Sequence, residues 1–393
     1  MADQTGPATG ARWGMVCAGT ALIGTCYGFA RFAYGLFAPE FQDTFAMTST
    51  LSGIISSGSY VGYCVAIVLS LVLTERLGAR RVAVSAGVVA TIGITIVAVS
   101  PTAPVLAAGV LVAGSSTGIA SPPMAAAVDR WVRRTSRDRA QTVVNAGTGI
   151  GVLVSGPVAL LLVDSWRWAW GVFAILAAAV TVWVHHSVPR TTSESSGSAR
   201  GTAYPPGSTR LLTASFAMGL ASIAVWTFGR DLVTDVGGTS TLASTAMWSV
   251  LGAAGFVGAF GGDVVSRFGL PHSWSTTMVL MGAATLLLAA APGSSAAILP
   301  AATVFGATYI LLTGVILLWS TRVHPERASF GVGLAFLMIA AGQAVGAPVA
   351  GLISDAYGIT AAFYTCAALA MVGAFVRPRF GATPAHAEVG TRT

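Results

Sequence analysis

Two short charged stretches, Glu75-Arg76-Leu77-Gly78-Ala79-Arg80-Arg81 and Ser266-Arg267-Phe268-Gly269, decide how this chain is built. Each is wedged between long apolar runs, and Arg76 and Arg267 lie 191 residues apart (267 − 76). The same offset relates Gly156-Pro157, with Asp164 seven residues beyond its proline, to Ala347-Pro348, with Asp355 seven residues beyond (348 − 157). Asp138-Arg139-Ala140 and Glu326-Arg327-Ala328 precede these pairs in the two parts of the chain. Matching landmarks at nearly the same spacing mark a duplicated unit.

Composition says what was duplicated. Hydrophobic residues make up 54% of the 393 and charged residues 9%, against about 25% charged in an average soluble domain. A spanning helix needs about 20 apolar residues, and twelve such runs are present: 13–37, 51–73, 82–99, 103–128, 142–163, 168–184, 211–233, 242–265, 273–291, 296–320, 330–353 and 359–376. Weak alternation and the length of the runs argue against an outer-membrane barrel. The expected fold is therefore an all-α polytopic membrane protein, with twelve transmembrane helices in two pseudo-symmetric six-helix bundles. The first run is too long for the core of a signal peptide and is followed by eleven more, so it is expected to stay in the mature protein. Between the sixth and seventh runs, Pro189-Arg190-Thr191-Thr192-Ser193-Glu194 and Tyr204-Pro205-Pro206-Gly207 read as a polar linker. It divides the chain into 1–190, a cytoplasmic linker 191–209, and 210–393 with a short tail.

The formal charge of +7 is carried by arginine alone, with no lysine. Eighteen of the 21 arginines fall on one side if the N-terminus is cytoplasmic; Arg31, Arg167 and Arg230 are the others. Because cytoplasmic loops retain excess Lys/Arg, both termini are expected inside, and nucleic acid is an unneeded partner for the basic charge. The lack of lysine beside 47 glycines suggests a GC-rich bacterial genome, hence an inner membrane. Cys17, Cys26, Cys64 and Cys366 all fall inside expected spans, which favours packing over a disulfide framework or metal cluster. No cofactor is called for, and a monomer is expected.

With these residues in view, the chain resembles the major facilitator superfamily. That family's loop, Gly-x-Leu-x-Asp-Arg-x-Gly-Arg-Arg, is matched by Leu73, Glu75, Arg76, Gly78, Arg80 and Arg81, with Leu71 at the first Gly; Gly262-Asp263 through Arg267 and Gly269 form the second copy. Gly28-Phe29-Ala30-Arg31-Phe32-Ala33-Tyr34-Gly35, followed by Ser59-Tyr60-Val61-Gly62-Tyr63, resembles the bacterial YbfB/YjiJ-like group within it. The resemblance covers roughly residues 12 to 378 and implies alternating access between two halves. Glu75, Arg76, Gly78, Arg80, Arg81, Arg267 and Gly269 are then gating-loop candidates. A carboxylate where a helix leaves the membrane can receive a neighbouring arginine or a helix N-terminus and latch one conformation. Gly147, Gly149, Gly151, Gly156 and Pro157 in the fifth span, and Gly342, Gly346, Pro348 and Gly351 in the eleventh, suit a close seam between halves. They resemble the family's Gly-Pro element of proton-coupled exporters, with Leu160 and Leu161 at its usual Gly-Gly site.

Intramembrane charge narrows the site. Arg31 lies 19 residues after Arg12 and Arg230 lies 20 after Arg210, so the two read as repeat-related. Their offset of 199 (230 − 31) then places the extra residues of the first half in the outer loop at Pro39 to Thr50. An arginine inside the membrane costs about 2.5–3.5 kcal/mol on insertion scales and needs a wet cavity or a partner. Asp231 is the carboxylate expected at similar depth, pairing with Arg31 across the halves and serving as a proton or charge switch. Glu40, Asp43, Asp164, Asp235 and Asp355 are expected in solvent at outer ends. Tyr34, Tyr60, Tyr63, Trp226, Asn145 and Gln343, with Tyr27, Trp248 and Tyr309, complete a candidate surface for a small aromatic or amphiphilic organic anion. Trp166-Arg167-Trp168 and His185-His186 read as interfacial residues. An enzyme is disfavoured: no nucleophile–base pair, His-Glu metal motif or phosphate loop is present. The leading expectation is a secondary transporter exporting its substrate against protons, ahead of uptake or exchange of an organic anion, and of a receptor or scaffold on the same fold.

Overall fold

Helices fill the whole described architecture, because a backbone inside lipid must satisfy its own hydrogen bonds. The structure, a computed structural model, describes residues 9–162, 165–190 and 204–379. Among them there is no strand. Ten helices are long and apolar enough to cross a bilayer: Trp13–Leu36, Ser49–Leu77, Ala79–Ala98, Ala103–Trp131, Arg134–Leu161, Trp166–Ser187, Ser208–Val236, Leu270–Ala290, Ser295–Val323 and Phe330–Tyr357. Two shorter apolar helices, Thr241–Val257 and Ile359–Gly373, take the eighth and twelfth places. The eighth continues through a 3-10 turn to Phe268. The second span runs to Leu77 and the fourth to Trp131, past the apolar limits of the sequence. Helical hydrogen bonding continues into the interface, where Glu75, Arg76 and Arg130 stand exposed.

The duplicated turns have one geometry. Gly78 has φ 83° and ψ 153° between the second and third spans, and Gly269 has φ 76° and ψ 153° between the eighth and ninth. That region of backbone space is essentially reserved for glycine, so each residue ends one helix and starts the next without a loop. On the outer side, Thr48 Oγ1 accepts from Leu51 N (3.2 Å) and Ser240 Oγ from Ala243 N (3.3 Å). These matching N-caps are 192 residues apart (240 − 48). Most of the expected linker, and Asp164 with it, lies outside the described residues; the helix of the seventh span resumes at Ser208.

Two antiparallel pairs join the halves. The second span meets the eleventh: Gly53 lies against Ala347, Ser57 Oγ donates to Ala344 O (2.7 Å), Cys64 Sγ to Leu337 O (3.8 Å), and Leu71 reaches toward Gly333. The fifth span meets the eighth, with Gly149 against Gly252 and Gly156 against Ser249. The glycines expected at the moving seam therefore divide by face. Gly149, Gly156 and Gly351 touch the opposite half, whereas Gly147 and Gly151 press on Thr20, Gly24 and Gly28 of the first span, and Gly342 on Phe216 of the seventh. A β-carbon on Gly28 would collide with the backbone of Gly151, so this approach needs glycine on both helices.

Outer residues read as a loop turn out to be helical. Ala38–Phe45 forms a short helix with Pro39 and Glu40 in its first turn, and its Phe41 packs on Trp166 and Trp170. Trp166 is buried, its Nε1 donating to Thr44 Oγ1 (3.1 Å), while Trp168 remains exposed as an interfacial anchor. Cys17 is exposed, Cys26 and Cys366 are buried and Cys64 is half-buried, all as free thiols.

Candidate functional site

The first span is not a uniform α-helix: Gly24–Phe32 takes π geometry, a local widening that is frequent at functional sites. Its small residues let the fifth span press against its back, and Arg31 stands at its end. The guanidinium is 5% exposed. It lies over the rings of Tyr60 (4.5 Å), Tyr63 (4.8 Å), Phe32 (5.3 Å) and Tyr27 (5.7 Å). Tyr60 and Tyr63, three apart on the second span, present one face of that helix. Cation–π contacts of a desolvated arginine are worth about 2 kcal/mol or more each, which offsets the insertion cost without neutralising the charge.

From the other half, Gln343 of the eleventh span completes this cage. Arg31 Nη2 donates to Gln343 Oε1 at 2.6 Å, and Gln343 Nε2 in turn donates to Tyr309 OH (3.2 Å) and Ser222 Oγ (3.4 Å). Arg31 Nε is buried and has no acceptor. Trp226 stacks on Phe32 (3.9 Å between centroids) and meets Tyr309 edge-on at 5.0 Å; its indole nitrogen is also buried without a partner. Ser56 and Thr227 hydroxyls bond across the halves at 3.0 Å, and Trp248 Nε1 donates to Ser155 Oγ (3.1 Å). The arrangement is a buried cation with an aromatic wall, open to hydrogen bonding on one edge, at the junction of the halves.

Arg230 does not share that site. Its Nη1 donates to Glu40 Oε1 (2.5 Å), Glu40 Oε2 (2.6 Å) and Leu36 O (2.5 Å), and its Nε to Ser244 Oγ (3.3 Å). The reason is register. The backbone contact between the parallel first and seventh spans joins Gly35 to Trp226, an offset of 191 (226 − 35), and Glu40, on the short helix just beyond the first span, meets Arg230 at a similar offset of 190 (230 − 40). At such an offset the residue level with Arg31 lies near Ser222, and Arg230 is about eight residues, roughly 12 Å, farther out. The repeat relation between the two arginines therefore does not hold. The extra length lies at the N-terminal end of the first span: Ser208, where the seventh begins, is level with residue 17 at this offset (208 − 191), whereas the helix of the first span is already formed at Thr9. The expected Arg31–Asp231 pair is not formed for the same reason.

Arg230 and Asp231 instead close the outer rim. Gln42 Nε2 donates to Asp231 Oδ2 (2.6 Å), while Asp231 Oδ1 is buried without a partner. Asp355, at the outer end of the eleventh span, accepts from Ser49 N (3.0 Å) and Thr50 N (2.8 Å), the first turn of the second span. Glu40, expected in solvent, is thus an ion-pair partner, and Asp355 is exposed yet caps a helix of the opposite half; Asp235 is exposed as expected. Tyr34 belongs to this rim, its OH donating to Ser52 O (3.0 Å). Asn145 is half-buried on the fifth span and makes no hydrogen bond to the cage. Arg76 and Arg81 are exposed and Arg80 half-buried at the end of the bundle opposite the Arg230–Glu40 pair, as is exposed Arg267, whose guanidinium lies over Phe268. Sequence reasoning missed Phe32, Ser222 and Gln42. The helical signal for Gln42, a proline and a glutamate opening Ala38–Phe45, was present but short.

The fold has known counterparts. A mutant of the nucleoside transporter NupG superposes with a TM-score of 0.76 at 13% identity, covering 92% of this chain and 98% of that one. The transcription regulatory protein OpdE of Pseudomonas aeruginosa is 25% identical over 362 residues, 88% of this chain and 90% of that protein. A human voltage-gated purine nucleotide uniporter is 26% identical over 175 residues, 42% of this chain and 39% of its own. Residues 23–377 match the family described as uncharacterised MFS-type transporter YbfB. The chain therefore belongs to the YbfB-type family of the major facilitator superfamily, whose members are membrane transporters and not enzymes.

Proposed function

We propose that this protein carries a small organic anion across the inner membrane of a bacterium, exporting it in exchange for protons as its two halves rock about the Arg31 cage. One observation carries the anion: Arg31 is buried between the halves with no carboxylate bonded to it among the described residues. An intramembrane cation of this kind marks a substrate or ion path. The human relative is named for a purine nucleotide, also an anion. Export draws support from the Gly-Pro element of the fifth span, and proton exchange from Asp231. Among the described residues that side chain is the one fully buried carboxylate, and one of its oxygens has no partner. A proton on Oδ1 removes a buried negative charge beside the Arg230–Glu40 pair, changing the charge balance of the outer rim without touching the cage. Both termini face the cytoplasm, as the arginine distribution requires, and the working unit is a monomer. Glu75, Arg76, Arg80, Arg81 and Arg267 act as latches at the cytoplasmic gate, held in place by the Gly78 and Gly269 turns.

Counterflow of a panel of organic anions in proteoliposomes, with and without a proton gradient, tests this reading. Export requires uptake into inside-out vesicles driven by an acidic lumen; acceleration by the opposite gradient assigns symport and uptake instead. In Asp231→Asn the dependence of flux on pH should disappear while Arg31-dependent binding persists, and retained pH dependence removes Asp231 as the proton site. A receptor on this fold, the role nearest to the name of the Pseudomonas relative, binds the anion through Arg31 but gives no flux.

A further inference from the structure

The half-filled hydrogen-bonding edge of Arg31 defines the substrate more closely. We propose that the central site takes a monovalent aromatic carboxylate, and that Gln343 holds the carboxylate's place on Arg31 whenever no substrate is bound. This rests on the organic-anion reading above and names its substrate class.

Nε and Nη2 of a guanidinium point in the same direction and form a two-toothed edge that matches the two oxygens of a carboxylate. In Arg31, Nη2 is taken by the amide oxygen of Gln343 at 2.6 Å, while Nε on the same edge is buried without an acceptor. An amide offers that edge one oxygen; a carboxylate offers two. Gln343 is thus an incomplete stand-in that a carboxylate improves upon. Charge count sets the valence. The cage holds one guanidinium, and Arg230 is committed to Glu40 farther out, so a single negative charge is balanced and a phosphate dianion leaves one in excess. The walls set the body: Tyr27, Phe32, Tyr60 and Tyr63 ring the guanidinium, and flat apolar groups stack against such surfaces.

Displacement also has a mechanical consequence. Arg31 lies on the first span and Gln343 on the eleventh, so the bond between them ties the halves together. A carboxylate that takes both teeth releases Gln343 to Tyr309 and Ser222 of its own half, which already accept from its Nε2. Binding thereby removes a tie between halves at the moment the substrate arrives.

Calorimetry on the full-length protein in lipid nanodiscs, with benzoate, benzamide, phenyl phosphate and galacturonate as probes, tests the proposal. Benzoate should bind, with benzamide and phenyl phosphate each at least about tenfold weaker, the step expected for losing or overloading one charge-assisted contact. Gln343→Ala removes the competitor and should tighten benzoate by roughly three- to tenfold. Gln343→Glu supplies an internal carboxylate and should abolish benzoate binding, and Arg31→Gln should weaken it about 10- to 150-fold. Gln343→Asn, too short to reach Arg31, guards against misfolding of the alanine variant and should also tighten it. Weaker benzoate binding in a folded Gln343→Ala or Gln343→Asn protein overturns the stand-in role, and preference for phenyl phosphate overturns the valence. Arg31-dependent binding of galacturonate without benzoate overturns the aromatic class yet keeps the organic-anion reading; failure of every anion to depend on Arg31 removes both.

Discussion

At the outer rim, Arg230 donates to both carboxylate oxygens of Glu40 and to the Leu36 carbonyl; at the centre, Arg31 has an amide oxygen and a ring of aromatic faces. Both guanidinium groups are about equally hidden, at 4% and 5% exposure, so depth in the protein does not separate their roles. Neutralisation does. A buried charge that already has its counter-ion is structural or gating, because a ligand gains little by competing with a covalently tethered carboxylate. A buried charge held by polarisable rings and a neutral amide keeps its field available. The proposed transport cycle therefore gives the two sites different tasks: one holds the halves shut at the rim, the other takes the charge of the substrate.

The largest expected effect breaks this comparison directly. Arg31→Gln should raise the dissociation constant of the proposed anionic substrate about 10- to 150-fold, the equivalent of about 1.5–3 kcal/mol for a charge-assisted hydrogen bond. Arg230→Gln should leave affinity within about threefold, since its guanidinium is committed to Glu40 and Leu36, away from the cage. Equal losses in the two variants, measured by calorimetry on protein of matched monodispersity, would return Arg230 to the binding site.

A smaller effect is expected at the rim. Removing one member of a buried ion pair costs about 3–5 kcal/mol, but the Glu40 side chain is 27% exposed, and solvent screening reduces this to about 1–2 kcal/mol. Glu40→Gln should therefore favour outward opening by roughly 5- to 30-fold. Labelling of a Ser56→Cys reporter by a membrane-impermeant maleimide, in a variant lacking the four native cysteines, reads that change. The exchange Glu40→Arg with Arg230→Glu should recover most of the slow labelling. Fast labelling in the exchanged protein means that the Leu36 and Ser244 contacts, not the ion pair, hold the rim.

The same two arginines show how far the sequence can be read. Twelve apolar runs, the glycine turns at Gly78 and Gly269 and the isolation of Arg31 were legible, because each is a local signal: length, a glycine two residues after an arginine, a charge within an apolar run. The depth of Arg230 was not. Counting from Arg12 and Arg210 assumes that both arginines stand at one level, whereas at the contact register Arg210 is level with residue 19 (210 − 191), seven residues beyond Arg12. Counting inward from the matched caps Thr48 and Ser240 gives the correct register, since short outer connections leave little room for slippage. Gln343 was legible only as a polar residue in an apolar span; that its oxygen meets Arg31 across 312 residues depends on tertiary packing. Glu40-Phe41-Gln42-Asp43 misled in the opposite way. Its polarity reads as a loop, yet it is a helix lying over the seventh span, with one face on Arg230 and Asp231 and the other on Trp166.

Asp355 sharpens the comparison at its weakest point, because it seals the rim with a charge and a helix terminus instead of an ion pair. Its two oxygens accept from Ser49 N and Thr50 N, so the negative charge of the eleventh span meets the positive end of the second. Such contacts contribute about 0.5–1 kcal/mol when exposed, and Asp355 is exposed. Asp355→Asn keeps one acceptor oxygen and loses the charge. Maleimide labelling at Ser56→Cys should accelerate only about two- to fivefold, and the difference should shrink in high salt, which screens a charge–dipole contact at the surface but not the buried side of the Arg230 pair. An effect as large as that of Glu40→Gln, or one indifferent to salt, would make the helix cap the principal lock and demote the ion pair to a brace within the rim.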